Sequence, residues 1–158
     1  MKRKSFDQAT CPIARSLDAV GDWWSLLIVR DALAGIRRFS DFQKHLGMAK
    51  NILTLRLRRL VELGIMETAP VSEGGAYKEY TLTEKGLALL PVIIALRQWG
   101  LKTCFAEGET YELLVDAKDG LPLADLVVQS HDHRSLTTTD MRLKRAVVGQ
   151  PVLPSSPK

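Results

Sequence analysis

The sequence predicts a mainly α chain with a small β part (α+β): a winged helix-turn-helix domain followed by a C-terminal β-rich appendage. Three observations predict it. Residues 49–63 form a two-faced basic helix pattern that follows a shorter helix pattern after only a few residues. Two short strand patterns around a glycine pair come directly after it. Beyond Trp99 the pattern changes again, to short apolar runs separated by turn signals.

The first observation carries most of the functional content. At roughly 100° per residue, Leu53, Leu57, Leu60 and Val61 share one side of the helix, the stripe expected of a buried face. The opposite side carries Asn51, Leu55 and Arg58, flanked by Lys50, Thr54 and Arg59, with a single acid, Glu62, at the far end. A helix that enters the DNA major groove by its N-terminal end needs amide and hydroxyl groups toward base edges and guanidinium groups toward bases or phosphates. A merely solvated basic face fits this helix equally well when it is taken alone. The segments around it shift the balance.

Composition sets outer bounds. The 158 residues are 46% hydrophobic and 25% charged, ordinary for one domain with a small addition. Residues 1–104 hold 16 Lys/Arg against 10 Asp/Glu, a net of +6, while residues 105–158 hold 6 against 8, a net of −2. A surface for an anionic partner therefore belongs to the first part. Cys11 and Cys104 have no metal-ligand spacing and make no disulfide framework, which favours a reducing compartment. With no signal-peptide pattern and no uncharged run of spanning length, a cytoplasmic chain without a membrane partner is expected.

In order, Pro12 suits the first turn of a short helix ending at Gly21. Asp22 is the expected N-cap of WWSLLIVRDAL, apolar nearly all round, with Trp23, Leu26, Leu27 and Val29 in the core. Arg37 and Arg38 lie in the connection after Gly35. Ser40 and Gln43 form a capping-box pattern for a helix that buries Phe42 and Leu46 and stops at Gly47. The short turn to the basic helix makes a helix-turn-helix. IMETAPV and YKEYTL then read as a hairpin with Gly74 and Gly75 at its tip and Tyr77 and Lys78 beside it, a wing rather than a plain structural hairpin.

The segments CPIARSLDAVGDWWSLLIVRDALAG, RRFSDFQKHLGMAKNILTLRLRRLVELGIM and YTLTEKGLALLPVIIALRQWG together resemble the HxlR-type winged-helix transcription regulators, relatives of the MarR group, over about ninety residues from Cys11 to Gly100. The resemblance implies a homodimeric, operator-binding repressor or activator whose dimer is formed by helices outside the winged-helix core. Two positions depart from the pattern. Ala49 stands where the family often has Ser or Thr, a natural N-cap, and Leu55 on the groove side can read only a thymine methyl. Cys11 matches the family's N-terminal cysteine, a thiol sensor of oxidants or electrophiles in some members, and Arg15 lies one turn on. The alternative for Cys11 is a small side chain packed at a dimer edge.

The resulting division is an N-terminal extension (1–10), a DNA-binding and dimerisation domain (11–104), a β-rich appendage (105–150) and a disordered tail (151–158). In the appendage, YELLV and LADLVV flank a turn at Asp119-Gly120 and MRLKRAVV is a candidate third strand. Its role, sensing a ligand or bracing a dimer, stays open. His131, Asp132 and His133 read as a polar turn rather than a metal site. Residues 84–99 read as one helix capped by Thr83 and bent at Pro91. Leu87, Leu90 and Ile94 face its own core, and Leu89, Val92, Leu96 and Trp99 form a second apolar stripe for a dimer partner.

The expected function is a homodimer that regulates transcription from a pseudo-palindromic operator. Asn51, Thr54 and Arg58 would read bases. Arg37, Arg38, Arg59 and Lys78 would contact phosphate, with Lys50, Leu55 and Tyr77 completing the surface. A small-molecule effector is left open, and no cofactor, metal or catalytic group is called for. The alternatives are a winged-helix protein-interaction module that no longer binds DNA, against which the exposed polar face argues, and a thiol enzyme, for which a histidine partner is missing.

Overall fold

The computed structural model describes residues 5–70 and 78–150. The chain divides into two units, Met1–Glu109 and Thr110–Lys158. In the first unit the helices are α1 (Pro12–Val20), α2 (Trp23–Leu33), α3 (Phe39–Leu46), α4 (Lys50–Glu62), α5 (Glu84–Leu87) and α6 (Leu90–Thr103), with strands β1 (Met66–Pro70) and β2 (Lys78–Leu82) between α4 and α5. The helix order, the short helix-turn-helix connection and the following hairpin agree with the sequence reading. The expected hairpin tip at Gly74 and Gly75, and Tyr77 beside it, lie outside the described residues.

Helix α2 is the shared centre, packing against α1, α3, α4, α6 and β2. Its start is fixed by Asp22, whose carboxylate accepts from the Ser25 backbone N–H at 3.0 Å and from the Ser25 hydroxyl at 2.6 Å. This satisfies a buried serine and caps the helix together. Ile28 and Val29 of α2 are fully buried, as are Phe42 of α3 and Leu53, Leu57 and Leu60 of α4. Each such side chain contributes roughly 1.5–3 kcal/mol by leaving water. Met48, in the turn between α3 and α4, closes the core beneath the helix-turn-helix, and Ile65 and Met66 close it at the start of the wing.

β1 and β2 pair antiparallel in the register Met66↔Leu82 to Pro70↔Lys78. The wing is anchored on the loop before α3 by an isolated bridge between Arg38 and Glu79 and by the Tyr80 N–H donating to the Arg37 carbonyl at 2.8 Å. At its other end, Thr83 caps α5 by accepting from the Gly86 N–H, while its own hydroxyl donates to the Gly64 carbonyl at 2.7 Å. Lys85 donates to the Leu63 carbonyl at 2.7 Å, so the C-terminal end of α4 is closed by residues just beyond the wing.

Four expectations are corrected. Trp23 is 74% exposed instead of core, stacked edge-on against Trp24 at 5.8 Å. It occupies the first turn of a helix apolar all round, where periodicity assigns no face. The Ser40/Gln43 capping box does not form: α3 starts at Phe39, its N-cap Arg38 makes no side-chain cap, and the Ser40 hydroxyl donates to Asp41. The single helix expected over residues 84–99 is two helices, because Pro91 lacks an N–H and fits only the first turn of a new helix. The break shifts the phase: Ile94 is buried and Leu89 and Ile93 pack on the core, while Leu87 and Leu90 are exposed.

The second unit differs most from expectation. Among its described residues there are no strands, only isolated bridges at Val115↔Pro122 and Gln129↔Ser135 and a 3-10 turn at Thr138–Asp140. The turn at Asp119-Gly120 is present, with Gly120 at φ 72° and the Gly120 N–H donating to the Asp116 carbonyl at 2.8 Å. The flanking runs do not zip beyond one pair. His131–His133 sits in a second polar turn, where the Ser130 hydroxyl donates to Asp132 and lowers the pKa of its carboxyl below the usual aspartate range. The Thr137 N–H and hydroxyl likewise hold the Asp140 carboxyl below its usual value. The candidate strand MRLKRAVV contains no strand.

Candidate nucleic-acid interface

The buried stripe of α4 fixes what its other side can present. Because Leu53, Leu57 and Leu60 are locked in the core, Lys50, Asn51, Thr54, Leu55, Arg58 and Arg59 are all exposed. Lys50, Asn51, Thr54, Leu55 and Arg58 line one open concavity along the helix. The N-terminal end carries no side-chain cap, since Ala49 is the N-cap and Asn51 does not substitute for Ser or Thr. The first N–H groups of α4 therefore stay directed outward, together with the positive end of its dipole. The Thr54 hydroxyl donates to the Lys50 carbonyl at 2.8 Å, leaving its oxygen as an acceptor. Leu55 stands 52% exposed in the middle of this face, an apolar patch between polar groups.

The cations are restrained unequally. Arg58 Nε donates to Glu62 at 3.1 Å, and Arg59 approaches the other Glu62 oxygen at 4.0 Å. Arg38 pairs with Glu79 at 3.6 Å, which draws its guanidinium toward the wing base. Arg37 and Lys78 are exposed. The structure thus places Lys50, Asn51, Thr54, Leu55, Arg58 and Arg59 on one helix, Arg37 and Arg38 in the loop that anchors the wing, and Lys78 at the start of β2.

Sequence reasoning missed two links that orient this face. Asp31, fully buried in α2, accepts from Arg30 Nε and Nη2 at 2.9 and 2.7 Å and lies 2.7 Å from His45 Nδ1 near the end of α3. Arg56, on the flank of α4, lies 3.3 Å from Asp22 at the start of α2. The Asp31–His45 contact and the Asp22–Arg56 ion pair tie the helix-turn-helix to the central helix. The visible signal for the first was an acid inside WWSLLIVRDAL, which requires a cation once buried. Nothing in the spacing identified His45 as its partner.

Cys11 is exposed at the N-cap position of α1 and is a free thiol, as is Cys104. The Arg15 guanidinium, expected beside the thiol, donates to the Ala9 carbonyl. Of the four residues expected at a dimer interface, Val92, Leu96 and Trp99 are 45%, 47% and 62% exposed along one side of α6. Leu89 differs, being partly buried against the core. Among the described residues there is no group of three or more His, Cys, Asp or Glu side chains able to hold a metal ion, and no helix is long and apolar enough to cross a membrane.

Residues 19–107 match the family model described as HxlR-like helix-turn-helix. The chain is 44% identical over 88 residues to an uncharacterized HTH-type transcriptional regulator, MT3179, of Mycobacterium tuberculosis (strain CDC 1551 / Oshkosh); the match covers 56% of each, so the chain spans little more than half the length of that relative. Among solved structures it is similar to PA1607, described as a candidate transcription factor, with 49% identity and a TM-score of 0.87 over 90% of this chain and 100% of that one. It is also similar to the redox regulator HypR in its reduced form, with 28% identity and a TM-score of 0.55 over 60% of this chain and 94% of that one. With more than half of its length matched on the helix-turn-helix frame described above, the chain belongs to the HxlR-like helix-turn-helix family of transcriptional regulators.

Proposed function

We propose that the chain regulates transcription in the cytoplasm by binding double-stranded DNA as a homodimer on a two-fold operator. The observation that carries this reading is α4: Leu53, Leu57 and Leu60 are fully buried, so the opposite side is held outward as a basic, donor-rich surface. Asn51, Thr54 and Arg58 are assigned to base edges, and Arg37, Arg38, Arg59 and Lys78 to phosphates. Residues 11–104 supply binding and dimerisation, with Val92, Leu96 and Trp99 as the apolar stripe between copies. The similarity to HypR, a redox regulator, together with the exposed thiol of Cys11, supports a response to oxidants.

A gel-shift titration on the DNA upstream of the protein's own gene, with and without the thiol oxidant diamide, tests the reading. The upstream DNA should be bound in preference to random duplex, with affinity falling steeply as salt rises. Equal binding to both duplexes would remove sequence-specific regulation. Cys11→Ser should bind DNA like the wild type and lose any change produced by diamide, because a modification acts only by favouring one state over another. A wild-type affinity indifferent to diamide would leave Cys11 as a packing residue.

A further inference from the structure

Residues 110–150 form a segment without an inside. Every residue in it is exposed except Ser130 and Leu136, which are half-buried. It is nonetheless rich in large apolar side chains: Leu113, Leu114, Leu121, Val127, Leu143 and Val148 range from 43% to fully exposed. The ordered parts are polar and local. Asp116 and Asp119 close one turn through the Lys118 and Leu121 N–H groups, and Ser130 closes another by accepting from the Arg134 N–H. The apolar residues lie around and between these turns, on stretches that form isolated bridges at Val115↔Pro122 and Gln129↔Ser135 and no strand among the described residues. Local turns of this kind do not offset the entropy of ordering some forty residues. An exposed apolar surface of this extent marks a contact.

Two further observations say what covers it. The family model ends at residue 107, and the match to HypR covers 60% of the chain, whereas the match to PA1607 covers 90% and so reaches well into this segment. Much of the segment thus has a counterpart in a 49%-identical chain, as expected of a segment held against a surface that both proteins possess. The first unit carries such a surface: Val92, Leu96 and Trp99 on α6, with Ile13 and Leu17 exposed one turn apart on α1. A stable dimer buries roughly 1,200–2,000 Å² with 20–30 residues on each side. The α6 stripe alone falls far short of that.

We propose that residues 110–150 of one chain lie over the α6 and α1 apolar face of a second copy, reciprocally, so that the segment is an exchanged arm that completes the dimer. This rests on the homodimer reading above and adds a second surface to the α6 stripe. Two copies cover both apolar surfaces together, and the two-fold arrangement is self-complementary.

The test uses the full-length chain in three forms: wild type, Leu114→Asp/Val128→Asp in the arm, and Val92→Glu/Leu96→Glu on α6. All four substituted residues are exposed, so the fold of a single chain tolerates the charges. Sedimentation equilibrium should show a wild-type dimer, and an arm variant with unchanged helical circular dichroism but a dissociation constant raised about tenfold or more. Hydrogen exchange of unmodified protein should show amides of residues 110–150 protected at concentrations where the dimer forms and unprotected where it has dissociated. The proposal is overturned if the arm variant dimerises like the wild type, or if the arm is protected equally in the monomer, which would mean that it covers its own chain. If the arm variant stays dimeric while the α6 variant becomes monomeric, only the arm proposal falls. A wild type monomeric at all concentrations removes the homodimer reading as well.

Discussion

In the proposed complex, the pairing of Arg58 with Glu62 determines what the DNA-facing side of α4 gives up on binding. Both side chains are exposed, so the ion pair is worth at most about 1 kcal/mol, and a guanine edge or a phosphate outcompetes it. Arg58→Ala should therefore cost about 1–3 kcal/mol on the cognate site and relax preference at one base pair. Lys78→Ala should weaken cognate and random duplex alike and flatten the salt dependence by about one unit. Fluorescence anisotropy on both duplexes separates the two roles, and equal losses on all sequences for both variants would withdraw base readout from Arg58. The exposure of Lys50, Asn51, Thr54, Leu55, Arg58 and Arg59 could be read from the sequence because Leu53, Leu57 and Leu60 form the buried stripe of α4. What could not be read was their restraint: Glu62 is a helical neighbour of Arg58, but Glu79 reaches Arg38 only once the wing has folded.

At the scale of elements, the segments on either side of α4 are held in place. The Asp31 carboxylate ties α2 to α3 through His45, and Asp31→Ala should cost about 1.5–3 kcal/mol, the worth of hydrogen bonds to a charged group. It should also weaken DNA binding without touching any residue of the DNA-facing surface. Chemical denaturation together with the binding assay checks both effects, and unchanged stability would show that the ion pair is ornamental. After α4, Gly86 packs so closely that a Cβ there would run into the Ile65 carbonyl and the Leu82 side chain. Gly86→Ala should thus destabilise the fold by about 1–3 kcal/mol through overpacking, seen as a lowered Tm; an unchanged Tm would show that the wing shifts freely from α5. The helices α1 to α4 and the two wing strands were legible because glycine stops and apolar period agree there, with a side-chain cap formed only at Asp22 of α2. The sequence reading failed where two rules competed. Pro91 restarts the helix instead of bending it, and the break moves Leu89 to the core and Leu87 and Leu90 to the surface. In the appendage, apolar runs around Asp119-Gly120 satisfy a hairpin pattern, yet a strand pattern identifies residues that want covering and not what covers them.

At the scale of the whole molecule, the proposed two-fold pair of chains would use the exposed face of α4, the apolar stripe of α6 and the apolar segment 110–150 together. In the proposed dimer, two copies of α4 would meet one side of the duplex, with half-sites one helical turn, roughly 34 Å, or a multiple of that apart. Each half-site alone would bind weakly, since one recognition helix buries only a modest surface, so specificity depends on both being engaged together. The most direct measurement is a hydroxyl-radical footprint of the wild-type protein on its upstream DNA. Two protected patches related by a two-fold axis and spaced by a whole number of helical turns, both lost with Arg58→Ala, are the predicted result. A single asymmetric patch, or protection that spreads evenly along the duplex and survives Arg58→Ala, would contradict the account.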